Sequence, residues 1–355
     1  MEEEQKIKVG ITQGDVNGIG LEVILKAFVE PEAYESFTPV IYGSPKAAAY
    51  HRKSLNLQNV SLNNIREAGE AHAKRVNIVT LGDDNMHVEP GKSSQFAGEA
   101  AVESLKAAAD DLLKGNIDVL VTAPVNNNTI QSDNFKYVGQ TEFLQSLAGN
   151  SESLMLMVND RLRVGIVASH LPLKEVSRYI TKDRILTKLR ILNETLKQDF
   201  SIRRPRIAVL GLNPHAGDNG LLGEEEQTVI IPALEEAANE GIYAMGPYSA
   251  DSLFGSGDAF KFDAVLAMYH DQGIAPFKAI AFETGAVFTA GLPFIRTAPI
   301  HGTAYDIVGQ DKATCDSFRN AIYLAIDIFN NRKMNKELQS NPMQTRVNNE
   351  TERNA

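Results

Sequence analysis

Three of the seven histidines, His170, His215 and His270, each stand just past the end of an apolar, strand-like run. The runs are Arg163-Val164-Gly165-Ile166-Val167-Ala168-Ser169, Ile207-Ala208-Val209-Leu210-Gly211-Leu212-Asn213-Pro214 and Phe262-Asp263-Ala264-Val265-Leu266-Ala267-Met268-Tyr269. In an open α/β sheet, ligands collect outside the carboxyl ends of the strands, so imidazoles placed there separately have a physical reason to converge. Three neutral ring nitrogens suit a borderline divalent cation and leave positions open for substrate oxygens. A lone histidine in such a place is more often an ordinary loop or core residue, and the threefold repetition is what points to a metal.

Two basic residues are candidates for holding an anion. Lys278 lies eight residues beyond His270, and Arg296 ends the apolar run Leu292-Pro293-Phe294-Ile295, which would anchor its base. Arginine supplies a bidentate fork for phosphate or carboxylate, and lysine a point charge. Asp218 in Asn213-Pro214-His215-Ala216-Gly217-Asp218 and Asp271 in Tyr269-His270-Asp271-Gln272-Gly273 are placed either to orient the imidazoles or to cap turns and helices. Asp251, in Ala250-Asp251-Ser252-Leu253-Phe254, is a candidate acid-base group. The loop Thr12-Gln13-Gly14-Asp15-Val16-Asn17-Gly18-Ile19-Gly20 has glycine spacing that fits neither the dinucleotide fingerprint nor the P-loop. It reads as a sharp strand-to-helix turn bordering a cleft.

The elements that must position these groups alternate between strand-like and helix-like segments, the pattern of an α/β fold with a largely parallel sheet. Strands are predicted over 7–12, 39–42, 77–81, 118–123, 154–158, 162–168, 206–210 and 262–268. The clearest helices span 96–113, 224–239 and 316–331, followed by a polar tail. At 355 residues two domains around a cleft are expected. A net charge of -10 argues against nonspecific binding to nucleic acid or an anionic membrane. The single cysteine, Cys315, excludes an intramolecular disulfide, and with no signal peptide or membrane-length apolar run in the sequence the expected location is cytoplasmic.

With these residues in place the chain resembles the 4-hydroxythreonine-4-phosphate dehydrogenase family of pyridoxal 5′-phosphate biosynthesis, from about Ile11 to Ala325. The resemblance rests on Ala123-Pro124-Val125-Asn126, Gly139-Gln140-Thr141-Glu142-Phe143, Ser169-His170-Leu171-Pro172-Leu173, Leu212-Asn213-Pro214-His215-Ala216-Gly217, Tyr269-His270-Asp271-Gln272-Gly273, Gly291-Leu292-Pro293-Phe294-Ile295-Arg296 and His301-Gly302-Thr303-Ala304. It implies two α/β/α domains flanking a cleft, similar to isocitrate and isopropylmalate dehydrogenases. The first domain would comprise residues 1–125 and 280–332, the second 126–279, with 333–355 as the tail. It implies that His170, His215 and His270 bind one divalent ion (zinc, magnesium or cobalt), with His170 contributed across a homodimer interface. Gln140, Thr141, Lys278, Val287 and Arg296 fall at substrate-contact positions, Lys278 and Asp251 are candidate catalytic groups, and His301, Gly302, Thr303 and Asp306 would approach NAD or NADP.

The chain departs from the family pattern at informative places. Gln140 replaces a histidine and Val287 an asparagine among the substrate contacts, while Gln13 replaces a proline and Ile300 an aspartate. The implied reaction is metal-dependent oxidation of 4-phosphohydroxy-L-threonine to 2-amino-3-oxo-4-phosphooxybutanoate, followed by decarboxylation to 3-amino-2-oxopropyl phosphate. Because valine cannot replace an amide, a sister dehydrogenase acting on 4-phospho-D-threonate or 4-phospho-D-erythronate is the alternative, and a non-catalytic binder of metal and phosphometabolite is a third.

Overall fold

The computed structural model describes residues 6–82, 86–149 and 151–340. Its strands are β1 (Ile7–Thr12), β2 (Phe37–Gly43), β3 (Leu62–Ile65), β4 (Val76–Thr80), β5 (Val119–Thr122), β6 (Leu154–Val158), β7 (Arg163–Ala168), β8 (Arg206–Leu210), β9 (Tyr243–Tyr248), β10 (Ala264–Tyr269), β11 (Ala286–Ala290) and β12 (Arg296–Pro299). They form one sheet in the order β3-β4-β2-β1-β5-β12-β11-β6-β7-β10-β8-β9. Strands β2 and β5 are buried along their whole length, as expected where helices cover both faces of a parallel sheet.

The sheet consists of two parallel wings of opposite sense. On one wing β1, β2, β4, β5 and β12 run together. On the other, β7, β8 and β10 do. Between them β12 pairs antiparallel with β11, β11 with β6, and β6 with β7. Three reversals leave β7 antiparallel to β5, so the carboxyl ends of the two wings point to opposite edges. The strands of residues 1–125 and 280–332 occupy successive places in the sheet, and those of 126–279 occupy the rest.

Eight strands fall where the sequence predicts them, and β3, β9, β11 and β12 do not appear in that reading. β3 carries two asparagines on a short edge, and β9 is a largely exposed edge strand containing Pro247, so neither has an apolar run to reveal it. β11 and β12 are short and flanked by the glycine- and proline-rich segment 291–295.

The helix Gln95–Lys114 starts on Ser94, whose hydroxyl accepts from Ala97 N, and stops at Gly115 with φ of 75°. The predicted helix 224–239 is interrupted, with a π turn over Glu226–Ile230 running into a helix over Ile231–Asn239. The last helix continues past the predicted end, Asp316–Ser340. Polar residues hold that extension: Arg332 pairs with the buried carboxylate of Asp199 at 2.7 Å, and Asn335 Nδ2 donates to Gln198 O. The rest of the expected tail, 341–355, lies outside the described residues.

Candidate active site

His170 follows β7 and His270 follows β10, two adjacent parallel strands. The rings therefore meet, with centroids 6.2 Å apart. His270 Nδ1 lies 2.7 Å from Asp271 Oδ1, which fixes the ring and directs Nε2 away as the free donor atom. Asp271 thus takes the orienting role among the two offered by the sequence. His170 Nδ1 lies 3.5 Å from Glu142 Oε1.

His215 sits in an unusual turn at the end of β8. His215, Ala216, Gly217, Asp218 and Asn219 all have positive φ, between 43° and 80°. Non-glycine residues visit this region singly and at a cost of roughly 1–2 kcal/mol each, so four of them around Gly217 need external support. Asn213 and two glutamates supply it. Asn213 N donates to Glu226 Oε1 at 2.7 Å, and Asn213 Nδ2 donates to Glu226 Oε2 at 3.0 Å and to Glu225 Oε2 at 2.8 Å. Glu226 is buried, and a Cβ on Gly217 would stand 2.5 Å from its Oε2. Glu225 also accepts from Ser177 Oγ, in the helix Leu173–Tyr179 just after His170. The supports of two histidine loops are therefore joined. Asp218 belongs to the turn itself, its carbonyl accepting from Leu221 N.

Among the described residues of one chain, no group of three or more His, Cys, Asp or Glu side chains is gathered closely enough to hold a metal ion. His170 and His270 have the donor chemistry of a divalent site and approach each other, and His215 is held on its own strained turn. Asp251 begins the helix Ala250–Gly255, accepts from Ser249 Oγ at 2.5 Å, and is exposed. Hydrogen bonds from the Ser249 hydroxyl and then from the Ser252 backbone hold its carboxyl below the usual aspartate range.

Arg296, the second basic candidate, is buried at the start of β12. Its guanidinium donates only to hydroxyls: Nε and Nη2 to Thr122 Oγ1 at 2.9 and 2.6 Å, and Nη1 to Thr289 Oγ1 at 3.0 Å and Thr141 Oγ1 at 3.4 Å. Among the described residues no carboxylate lies within ion-pair distance of it; burial pulls its pKa down to about 10, against the more distant Glu142 carboxylate, which acts to raise it. A buried guanidinium held only by hydroxyls has the donor chemistry to take an anion. Gln140 Nε2 donates to Ala123 O, while its buried Oε1 has no partner. Val287 lies in β11 opposite Ala298, two residues before Thr289 and so on the same face, packed against an apolar cluster.

The helix His270–Ala281 spans between the two ends of the site. It carries Lys278 two turns beyond His270, close enough to His301 for the ammonium to help hold that imidazole's pKa down, secondary to burial. Burial likewise lowers the pKa of Lys278. His301 Nε2 is buried without a partner, and its Nδ1 lies 3.1 Å from Gly302 O. Thr303 O accepts from Ile19 N at 2.9 Å, so the loop after β12 rests on the glycine loop after β1. A Cβ on Gly18 would meet Thr303 O at 2.7 Å, which is why glycine stands there. Tyr305 Oη donates to Asp15 Oδ2 at 2.6 Å, while burial, and then this bond, push the tyrosine up to about 12. Asp306 is exposed and its carbonyl accepts from Gln310 Nε2.

Two departures from the family pattern are structural. Gln13 is buried and fully used: Oε1 accepts from Ser44 N and Nε2 donates to Ala100 O, while its backbone N donates to Ser104 Oγ. Ile300 is buried in the apolar cluster that also packs Val287. Glu142, Glu225, Glu226, Thr122 and Thr289 carry structural work that the sequence reading did not assign. The adjacent glutamates ten residues after His215 and the threonines inside apolar strands were the available signals.

The histidines at strand ends, the hydroxyl-lined arginine and the loop after β12 belong to an α/β dehydrogenase architecture. The structure of isocitrate dehydrogenase from Methylococcus capsulatus shares this fold with a TM-score of 0.50 at 13% identity, covering 94% of this chain and 89% of that one. The family model for the pyridoxal phosphate biosynthetic protein PdxA matches residues 35–325, and the chain belongs to that family. The 4-hydroxythreonine-4-phosphate dehydrogenase of Bacteroides thetaiotaomicron is 53% identical over 343 residues, covering 96% of this chain and 94% of that one. A 4-hydroxythreonine-4-phosphate dehydrogenase structure from Klebsiella pneumoniae superposes with a TM-score of 0.78 at 32% identity, covering 93% of this chain and 99% of that one.

Proposed function

We propose that this chain is a metal-dependent, NAD- or NADP-linked dehydrogenase that oxidises 4-phosphohydroxy-L-threonine in pyridoxal 5′-phosphate biosynthesis. The observation that carries the reading is the pairing of His170 and His270 beside a buried Arg296 that has only hydroxyl partners. When bound, a divalent ion held by His170, His215 and His270 would acidify the substrate hydroxyl and the nicotinamide would accept hydride. The chain's own residues do the rest. Arg296, with Thr141, takes an anionic group of the substrate and fixes its register against the histidines. Lys278, its pKa lowered by burial, is placed to hold or accept a proton between the substrate and His301. His301 offers its unpartnered Nε2, and Gly302 leaves open space beside it, to a cofactor approaching the loop after β12.

The site we propose is completed in a homodimer, with His170 of the partner subunit supplied to the His215 and His270 of the other chain. Exposed Leu171 and Leu173 after His170, and Leu221 and Leu222 after His215, support an apolar contact around these loops. The 6.2 Å approach of His170 to His270 within one chain supports the competing arrangement, in which one subunit supplies both. No helix among the described residues is long and apolar enough to cross a membrane, and we propose a cytoplasmic location.

A second substrate reading follows from Val287, whose apolar packing leaves no amide at that position. The test is parallel assay of NADH and carbon dioxide formation with a divalent metal, offering 4-phosphohydroxy-L-threonine, 4-phospho-D-threonate and 4-phospho-D-erythronate. Preferential turnover of the first supports the proposal. Preference for either of the others transfers the chain to the sister activity, and no turnover of any removes the dehydrogenase reading.

A further inference from the structure

The candidate substrates differ in whether carbon 2 carries an ammonium or a hydroxyl, so a dehydrogenase that accepts the amino acid needs a group that reads that charge. The cavity beside His170, about 260 Å³, contains two carboxylates, Glu142 and Glu152. Glu152 is already neutralised, its Oε2 accepting from Lys188 Nζ at 2.7 Å. Glu142 is not. Among the described residues it makes no salt bridge to a lysine or arginine: His170 stands 3.5 Å away, Arg296 acts on it electrostatically without direct contact, and its Oε2 is buried without a hydrogen-bond partner. It directly follows Thr141, whose hydroxyl meets Arg296 at 3.4 Å. A buried guanidinium and a half-buried carboxylate thus stand near each other without a direct contact, each acting on the other as a nearby opposite charge.

We infer that Glu142 is a specificity-determining residue that receives the α-ammonium of a phosphorylated amino acid while Arg296 receives one of its anionic groups. The inference rests on the dehydrogenase reading above and extends it by naming the feature of the substrate that is recognised. Oppositely charged receptors in adjoining positions match a zwitterion. An uncharged hydroxyl in the place of the ammonium would leave the buried Oε2 of Glu142 without a charged donor, which is the asymmetry that gives polar sites their discrimination.

The test uses two unreactive probes that lack the hydroxyl to be oxidised and differ only in the amino group: O-phospho-L-homoserine and 4-phosphooxybutanoate. Calorimetric titration of the metal-loaded enzyme should show the first binding roughly 10- to 100-fold tighter, the range of one charge-assisted hydrogen bond. Glu142→Gln, which keeps the shape and a polar contact to His170, should bring that ratio near one while leaving 4-phosphooxybutanoate affinity unchanged. Equal affinities in the unmodified enzyme would overturn the inference, whether or not any variant folds. So would a loss shared equally by both probes in Glu142→Gln, the signature of a residue that only orients His170. Binding of neither probe by the unmodified enzyme would instead defeat the phosphorylated-substrate reading on which the inference depends.

Discussion

Arg296 donates to three threonine hydroxyls and, among the described residues, pairs with no carboxylate, so in the proposed site its charge serves the substrate. Arg296→Met should therefore raise the KM for the phosphorylated substrate by roughly 10- to 100-fold, since each hydrogen bond to a charged group contributes about 1.5–3 kcal/mol. Steady-state kinetics check this, with inorganic phosphate protection against thermal unfolding as a second readout that the variant should lose. Lys278 gives a pH prediction. Burial lowers its pKa, so its positive charge is lost as pH rises earlier than for an ordinary lysine. Substrate affinity that depends on the ammonium should then weaken as pH rises, and Lys278→Arg should move that limb to higher pH. A pH profile of kcat/KM unchanged by the substitution would remove Lys278 from the titrating machinery. Val287→Asn tests the substrate contact: a shift of relative kcat/KM between 4-phosphohydroxy-L-threonine and 4-phospho-D-threonate is expected, and an unaltered ratio would show the position to be packing alone.

The turn over 214–220 converts an ordinary strand end into a strained mount for His215. Its geometry depends on the bonds from Asn213 to Glu226 and Glu225. Glu226→Ala removes the carboxylate that accepts from Asn213 N, and should lower metal affinity by about 10- to 100-fold, as loss of a group that orients a ligand commonly does. Competition titration of the metal measures it directly, and Glu226→Gln, which keeps an acceptor for Asn213 N, should recover much of the loss. The contact of the loop after β12 with the loop after β1 makes a separate claim. Gly18→Ala places a Cβ 2.7 Å from Thr303 O, so it should displace the 301–306 loop and weaken NAD binding while leaving metal affinity intact.

Across the whole molecule, the question is which subunit supplies each histidine. Mixed dimers of His170→Ala with His215→Ala should regain one working site of the two if His170 crosses the interface. Pairing His215→Ala with His270→Ala should then remain inactive, because both changes strike the same chain's contribution. Inactivity of all mixed pairs would place the three ligands in one chain. The extended last helix has its own consequence: Arg332→Ala strips the ion-pair partner from the buried Asp199 and should cost on the order of 3 kcal/mol, read from denaturant unfolding.

What the sequence determined by itself was local. The apolar runs ending in His170, His215 and His270 define strands β7, β8 and β10 because burial on both faces requires continuous apolar side chains. The helix Gln95–Lys114 is legible from its serine cap and terminal glycine. The family resemblance made His170, Thr141 and Arg296 partners in expectation, yet nothing in their spacing could do so. Tertiary structure decided what those groups touch. The three antiparallel pairings β12 with β11, β11 with β6 and β6 with β7 set the two wings in opposite senses, and the helix His270–Ala281 is what carries Lys278 from the histidine end to His301. Gln13 proved to be a buried amide whose partners lie up to 87 residues away. Such contacts depend on long-range pairing of distant segments, and the one-dimensional spacing of residues carries no term for it.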